Sequence, residues 1–273
     1  MRKGTTFILV FLLSALVVLL SLMLFLGIKG KSFGGKKVSL QLSQNYELSF
    51  INDINITTKS SDIYIKESED DKVYVDIYAA DNEKLSSTLE DGKLNVVLNS
   101  KMNFCIMCIG NKYQRRIEIK LPKKYDGKIN IDTKSGDVKV ASFNETSLKV
   151  SAKSGDITAK EIKKANINLT SGDIEISKVK VANIKATSGD IKIDEISKSA
   201  DINVTSGDIR IKDFNINDNS IIKATSGDIG IKNLSDSYVE TSVKSGDVHV
   251  NGSNRNAKYE LSIKVTSGDI SVN

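Results

Sequence analysis

The sequence predicts an all-β fold, a single-chain parallel β-solenoid, carried behind one N-terminal transmembrane helix. Three observations lead there. The tripeptide Ser-Gly-Asp occurs eight times at intervals of 17 to 22 residues, and a period near 20 marks a solenoid whose units bury their apolar faces against their neighbours. Apolar and polar residues alternate on both sides of every copy, as in strands with one buried face. After residue 38 no helical periodicity competes.

The segments follow in order. Residues 1–6 form a short basic tail, expected on the cytoplasmic side. Residues 7–28, FILVFLLSALVVLLSLMLFLGI, are an uncharged run of 22. As a helix they would span roughly 33 Å at about 1.5 Å per residue, enough for a bilayer core of about 30 Å. The alternative, a cleaved signal peptide, has an apolar stretch of roughly 7–15 residues and a small-residue cleavage site, and neither is present here. The expectation is an uncleaved single-pass anchor with residues 29–273 outside the cytoplasmic membrane. Residues 29–37, KGKSFGGKK, read as a flexible basic spacer near anionic headgroups.

Residues 38–128 are expected to be irregular N-terminal coils or a cap. Ile54, Ile56, Thr58, Ser60-Ser61-Asp62, Ile63 and Ile65 repeat the later pattern with Ser61 at the glycine position. From Ser61 to Gly136 is 75 residues, which the period divides into about four coils. Val73/Val75/Ile77, Leu94/Val96 and Ile117/Ile119/Leu121 supply further strands, Asp91-Gly92 a turn, and Pro122 a strand end.

Residues 129–273 hold the regular repeat, with corners at Gly136, Gly155, Gly172, Gly189, Gly207, Gly227, Gly246 and Gly268. Inward positions fall five and three residues before the glycine (Ile167 and Leu169 in one coil), then two and four residues after it (Ile174 and Ile176). A third anchor lies seven residues after it, as Phe143, Ile162, Val179, Ile196, Phe214 and Leu234, with Ser253 breaking the series. The facing phase slips at Ser-Gly-Asp, so the tripeptide is a corner. Glycine supplies a positive φ there, and Ser and Asp side chains can bond nearby backbone N–H groups. Coils about 4.8 Å apart would stack into a rod of about 40 Å. Parallel crossovers favour a right-handed winding, although coils near 18 residues also occur in left-handed β-helices.

The composition restricts the chemistry. One His (His249), two Cys, one Pro and no Trp leave no multi-His metal site and no disulfide-dense scaffold. A Ser-His-Asp mechanism would have to run through His249, which alternation places outward as an ordinary exposed side chain. The net charge of +5 is too diluted for a nucleic-acid surface. No enzyme and no cofactor is expected. The corner acids Asp137, Asp156, Asp173, Asp190, Asp208, Asp228, Asp247 and Asp269 should stack along one edge, where like charges about 5 Å apart repel by about 1 kcal/mol in water. Backbone N–H groups and Ser hydroxyls offset this most simply, with a row of Ca²⁺ ions as the alternative. Thr170, Thr187, Thr205, Thr225 and Thr266 precede the corners, with Lys134, Lys153 and Lys244 in the other copies. They form either a Thr/Lys surface for a glycan or anionic polymer, or merely β-branched residues suited to an exposed strand. Cys105 and Cys108, as C-I-M-C, would need a local turn to form a disulfide. Asn273 directly follows an inward pair, so an open final coil and end-to-end self-association are expected.

The Ser-Gly-Asp-Ile/Val motif, the strand-ending Leu121-Pro122 and the N-terminal anchor together resemble the putative-adhesin domain family that includes LiaG. The resemblance covers Ile54 to Asn273 and is specific for architecture, not for an activity. It implies a bacterial membrane-anchored protein of the cell envelope, an adhesin or envelope-interaction module. The alternative it implies is an accessory component of envelope-stress sensing that acts through a membrane partner. Some relatives carry an anti-sigma-like cytoplasmic region that a six-residue tail cannot contain, and the Cys105/Cys108 pair is a second departure.

Overall fold

The structure is a computed structural model that describes residues 38–99 and 114–273. Phe7–Ile28, the 29–37 spacer and Cys105/Cys108 lie outside the described residues. Among those described, no helix is long and apolar enough to cross a membrane.

The chain opens with β1 (Val38–Glu47) and lays down a first coil as β2 (Asp53–Ser60) and β3 (Asp62–Ser68). Then come β4 (Lys72–Ala80), β5 (Lys84–Glu90), β6 (Lys93–Asn99) and β7 (Arg116–Pro122). Regular winding follows through β8 (Lys128–Ser135), β9 (Val138–Val140), β10 (Phe143–Ser154), β11 (Ile157–Ser171), β12 (Ile174–Ser188) and β13 (Ile191–Ser206). The last elements are β14 (Ile209–Phe214), β15 (Ser220–Ser226), β16 (Ile229–Leu234), β17 (Tyr238–Ser245), β18 (Val248–Val250), β19 (Glu260–Ser267) and β20 (Ile270–Val272).

One pair of coils shows the rule. β11 and β12 pair parallel and in register through three segments: Ile157–Ala159 on Ile174–Ile176, Glu161–Ile162 on Lys178–Val179, and Lys164–Leu169 on Val181–Ala186. The ladder skips Lys160 and Lys163, both exposed, where the chain bends. Ile157, Ala159, Ile162, Ala165, Ile167 and Leu169 point inward and are almost fully buried. Burying each large aliphatic side chain contributes about 1.5–3 kcal/mol before entropy is counted. The sequence pattern yields five of these six columns. The sixth, seven residues before the glycine, runs Ile129, Leu148, Ala165, Ala182, Ala200 and Ser220. Small residues hide it, and in one coil the inward group is a hydroxyl: Ser220 Oγ donates to the Asp218 carbonyl and accepts the Ala200 N–H.

The corners need glycine for two reasons. Their φ angles lie between +115° and +139°. In addition, a Cβ on any of them would come within 2.3 Å of a carbonyl oxygen of the coil alongside. Ser61, at the first corner, is not among the positive-φ residues.

Both ends depart from simple winding. The 75 residues between Ser61 and Gly136 are one step of the stack and not about four. β2 pairs directly with β8, Ile56 opposite Ile131, and β3 pairs with β9. The intervening chain goes outward instead: β6 and β7 stack on the far side of β2 and β3, β4 pairs antiparallel with β7, β1 with β4, and β5 with β6. Hairpin turns with left-handed Asn82 and Asp91-Gly92 reverse the direction.

At the other end, β15 and β16 do not pair with β17 and β18. The last coil in sequence, β19–β20, lies between them, with Ile263 opposite Ile222 on one side and Thr241 on the other. The order of the final corners in space is therefore Gly227, Gly268, Gly246. This corrects the expected open coil at Asn273. The exposed edge belongs to β17–β18, where Val248 is 45% exposed against 1% for Ile270 beside it.

Candidate functional site

Along the strands that lead into the corners, outward side chains at alternate positions stand in parallel rows. Two rows enclose a shallow groove of about 1140 Å³ that runs across eight coils. Its floor is the column that includes Ala152, Leu169, Ala186 and Val204, which is nearly buried. Because those side chains point into the core, the floor is backbone, and the flanking outward rows stand above it as walls.

The wall beside the corners reads, in spatial order, Lys134, Lys153, Thr170, Thr187, Thr205, Thr225, Thr266, Lys244. In sequence Lys244 interrupts the threonines. In space the inserted β19 brings Thr266 next to Thr225, giving five adjacent hydroxyls with a lysine block at one end and a lysine at the other. The opposite wall includes Lys185, Lys223 and Lys264, with Asn168, Asn203 and the single acid Asp132. Six lysines thus face one aspartate. Among the described residues none of the six is in an ion pair, whereas some of the lysines on the other faces are matched between coils. Lys178 lies 3.9 Å from Glu161 and 3.8 Å from Glu195, and Lys192 lies 2.6 Å from Glu175. Positive charge left uncompensated in one long groove suits an extended anionic ligand.

The eight corner acids do line one edge. In each of Asp137, Asp156, Asp173, Asp190, Asp208, Asp228 and Asp269, one carboxylate oxygen accepts the backbone N–H of the aspartate in the next coil at 2.8–3.1 Å. The ladder starts at Asp62, which accepts the Asp137 N–H at 3.1 Å, and ends at Asp247 on the outermost coil. Burial raises the Asp62 pKa above its usual value; the Asp137 N–H works against that shift and the Asp137 charge adds to it. Serine contributes differently from the expectation: its carbonyls accept glycine N–H groups, as Ser171 does from Gly155 at 3.2 Å. Among the described residues no hydroxyl of the motif bonds the carboxylates. No group of three or more His, Cys, Asp or Glu able to hold a metal ion occurs among them either.

His249 stands outward on the outermost coil, 3.1 Å from Asn251 Nδ2. Sequence reasoning missed a second depression of about 530 Å³ on the face after the corners, around Gly230. Gly230 has an ordinary φ and open space about its Cα, so neither strain nor crowding requires glycine there. Its absent side chain is the signal, since the two coils before it carry Lys192 and Arg210 in that column and the coil beyond it carries only Ser271. Three acids balance the four bases around it, so it selects no charge.

The profile of the Toastrack family DUF4097 matches residues 51–273. Among solved structures, a putative adhesin from Bacteroides fragilis shares 18% identity over 86% of this chain and 97% of its own, with a TM-score of 0.50. A putative adhesin from Parabacteroides merdae shares 14% identity over 88% and 98%, with a TM-score of 0.46. A putative lipid binding protein from Parabacteroides distasonis shares 16% over 85% and 96%, with a TM-score of 0.44. The first likeness supports the fold alone, and the looser two add nothing to it. No curated protein matches the chain.

Proposed function

The chain belongs to the Toastrack DUF4097 family, and on that premise we propose that it is a non-enzymatic, membrane-anchored module of the cell envelope whose lysine-rich groove holds an extended anionic polymer. The observation that carries this reading is the charge imbalance of six lysines against one acid in a groove eight coils long. Repeating hydroxyls and ammonium groups about 4.8 Å apart suit a polymer with repeating anionic units better than a compact ligand. Anchoring through Phe7–Ile28 and an extracytoplasmic solenoid complete the reading. The name adhesin, carried by the Bacteroides fragilis protein of the same fold, agrees with it, but the groove is its basis.

Fluorescence anisotropy of labelled inorganic polyphosphate and of a neutral glucan against the full chain in detergent tests the proposal. Polyphosphate should bind and the glucan should not. Lys185→Gln/Lys223→Gln/Lys264→Gln should weaken polyphosphate binding about 100-fold, taking about 1 kcal/mol per lysine near an anionic surface. Equal binding of the glucan, or no change in the triple variant, would overturn it.

A further inference from the structure

Among the described residues, the Ser253–Asn254 loop covers only the start of the outermost coil, at Ser237 and Val239, and nothing covers the rest. Val248 is 45% exposed, and Thr241, Val243 and Val250 are only partly buried, although the same columns one coil inward hold fully buried Ile270, Ile263, Val265 and Val272. The strand β17 pairs with β19 on one side only. It has no proline and no inward charge, the usual devices that block an edge. Along it, Tyr238 N–H bonds back to Tyr259, whereas Val239 N–H points the other way, to Ser253 Oγ at 3.0 Å. By strand alternation the N–H and C=O groups of Thr241 and Val243 also point away from β19. The opposite end of the stack is closed over fully buried Leu94, Val96 and Leu98, so it offers no matching open coil.

We propose that β17 pairs antiparallel with β17 of a second copy of this chain, about a two-fold axis at Ser242. The backbone permits that register and the charges select it. With Ser242 opposite itself, Thr241 faces the second copy's Val243, and the outward backbone groups meet as a hydrogen-bonded pair. Glu240 then faces the second copy's Lys244 in a non-hydrogen-bonded pair, where side chains approach closest. Both are exposed, and neither is ion-paired within the chain among the described residues. The two-fold repeats the attraction, and a self-complementary patch closes as a dimer without propagating. Because the axis is perpendicular to this sheet face, the two lysine grooves open on the same side and run end to end. The pairing needs no ligand in the groove, although it engages Lys244 at the end of the groove wall.

Analytical ultracentrifugation of the full chain in detergent, across the micromolar range, should show a monomer–dimer equilibrium. Glu240→Lys and Lys244→Glu should each weaken it at least about tenfold, since each turns two attractive pairs into two repulsive ones. The double variant should restore it. In a Cys105→Ser/Cys108→Ser background, Ser242→Cys should form an intermolecular disulfide on mild oxidation, because facing Cα atoms in such a pair lie about 4.5 Å apart. Asn203→Cys, in the same column inside the stack, should not. A monomeric full chain, a double variant that fails to restore pairing while melting like the wild type, or equal disulfide yields at the two positions would overturn the proposal.

Discussion

At one end of the stack the chain leaves the first coil at Ser68, lays down strands further out and returns as β8 against β2. At the other it leaves β16 at Leu234, lays down β17 and β18 further out, and returns as β19 against β15. The manoeuvre is shared and the finish is not. The first excursion contains hairpins, so antiparallel β1, β4 and β5 terminate the parallel ladder over a closed core. The second contains only parallel strands, so it ends on an edge of the same kind as every interior coil. At the first end β1 and β5 still pair on one side only, but they lie over a covered core, whereas at the second the core columns themselves reach the edge.

The largest expected effect concerns the corners. Gly268→Ala places a Cβ 2.2 Å from the Gly227 carbonyl oxygen at a φ of +138°, and should cost more than about 4 kcal/mol. The matching position at the sealed end already carries a side chain. Ser61→Ala loses only the hydroxyl bond from Thr58 at 3.0 Å and should cost about 1 kcal/mol. Urea denaturation of the full chain compares the two, and similar costs would dissolve the distinction between the ends.

Next in size is truncation of an inward residue near each end. Leu94→Ala in β6, fully buried, should cost about 2–5 kcal/mol. Val248→Ala on the open coil should cost less than about 1 kcal/mol in the monomer. A large Val248 cost at dilutions that dissociate any dimer would mean this end is covered within the chain.

Acid titration should separate two carboxylates of the sealed end by sign. Burial alone would raise Glu118, but hydrogen bonds from Lys66 and Arg116 outweigh it and hold its pKa below the usual 4.5. Its contribution is therefore present at neutral pH and is lost as pH falls through the folded value. Glu118→Gln should remove under about 1 kcal/mol of stability at pH 7 and nothing in strong acid. Asp62 has the opposite sign, because its raised folded pKa favours the protonated form, whose benefit fades as pH rises through that value. Asp62→Asn keeps an acceptor for the Asp137 N–H. The Gln114 side-chain amide, which donates to the other Asp62 oxygen, can turn its own oxygen toward the new amide. The variant should therefore be at least as stable as the wild type at pH 7. A clear loss there would contradict the assignment.

The smallest expected effect is that of calcium. Since each interior corner carboxylate already accepts an N–H, millimolar calcium should leave the melting temperature unchanged. A rise of several degrees would point to a cation row along the corners.

Much of this architecture was legible in the residues. Eight corners, the phase slip at each and five of the six inward columns follow from local alternation, and that pattern is written within a single coil. The order of coils at the ends was not legible, because Ile263 has the same local signature whether its neighbour is Ile222 or Thr241. The same ambiguity hid the groove. With Lys244 between Thr225 and Thr266 in sequence, the threonines look interrupted, and only the inserted β19 makes them adjacent. The lysine excess was equally hidden, since it takes the three-dimensional pairing of Lys178 and Lys192 with glutamates to show that the groove lysines have no such partners.

The most direct measurement is the salt dependence of polyphosphate binding to the full chain and to Lys185→Gln/Lys223→Gln/Lys264→Gln. If those lysines hold the polymer in the groove, log affinity should fall linearly with log salt, and the slope of the triple variant should be shallower by about two, at roughly 0.7 per charge contact on a flexible polyanion. Parallel lines of equal slope would show that the polymer is bound elsewhere and would contradict the groove as the functional surface.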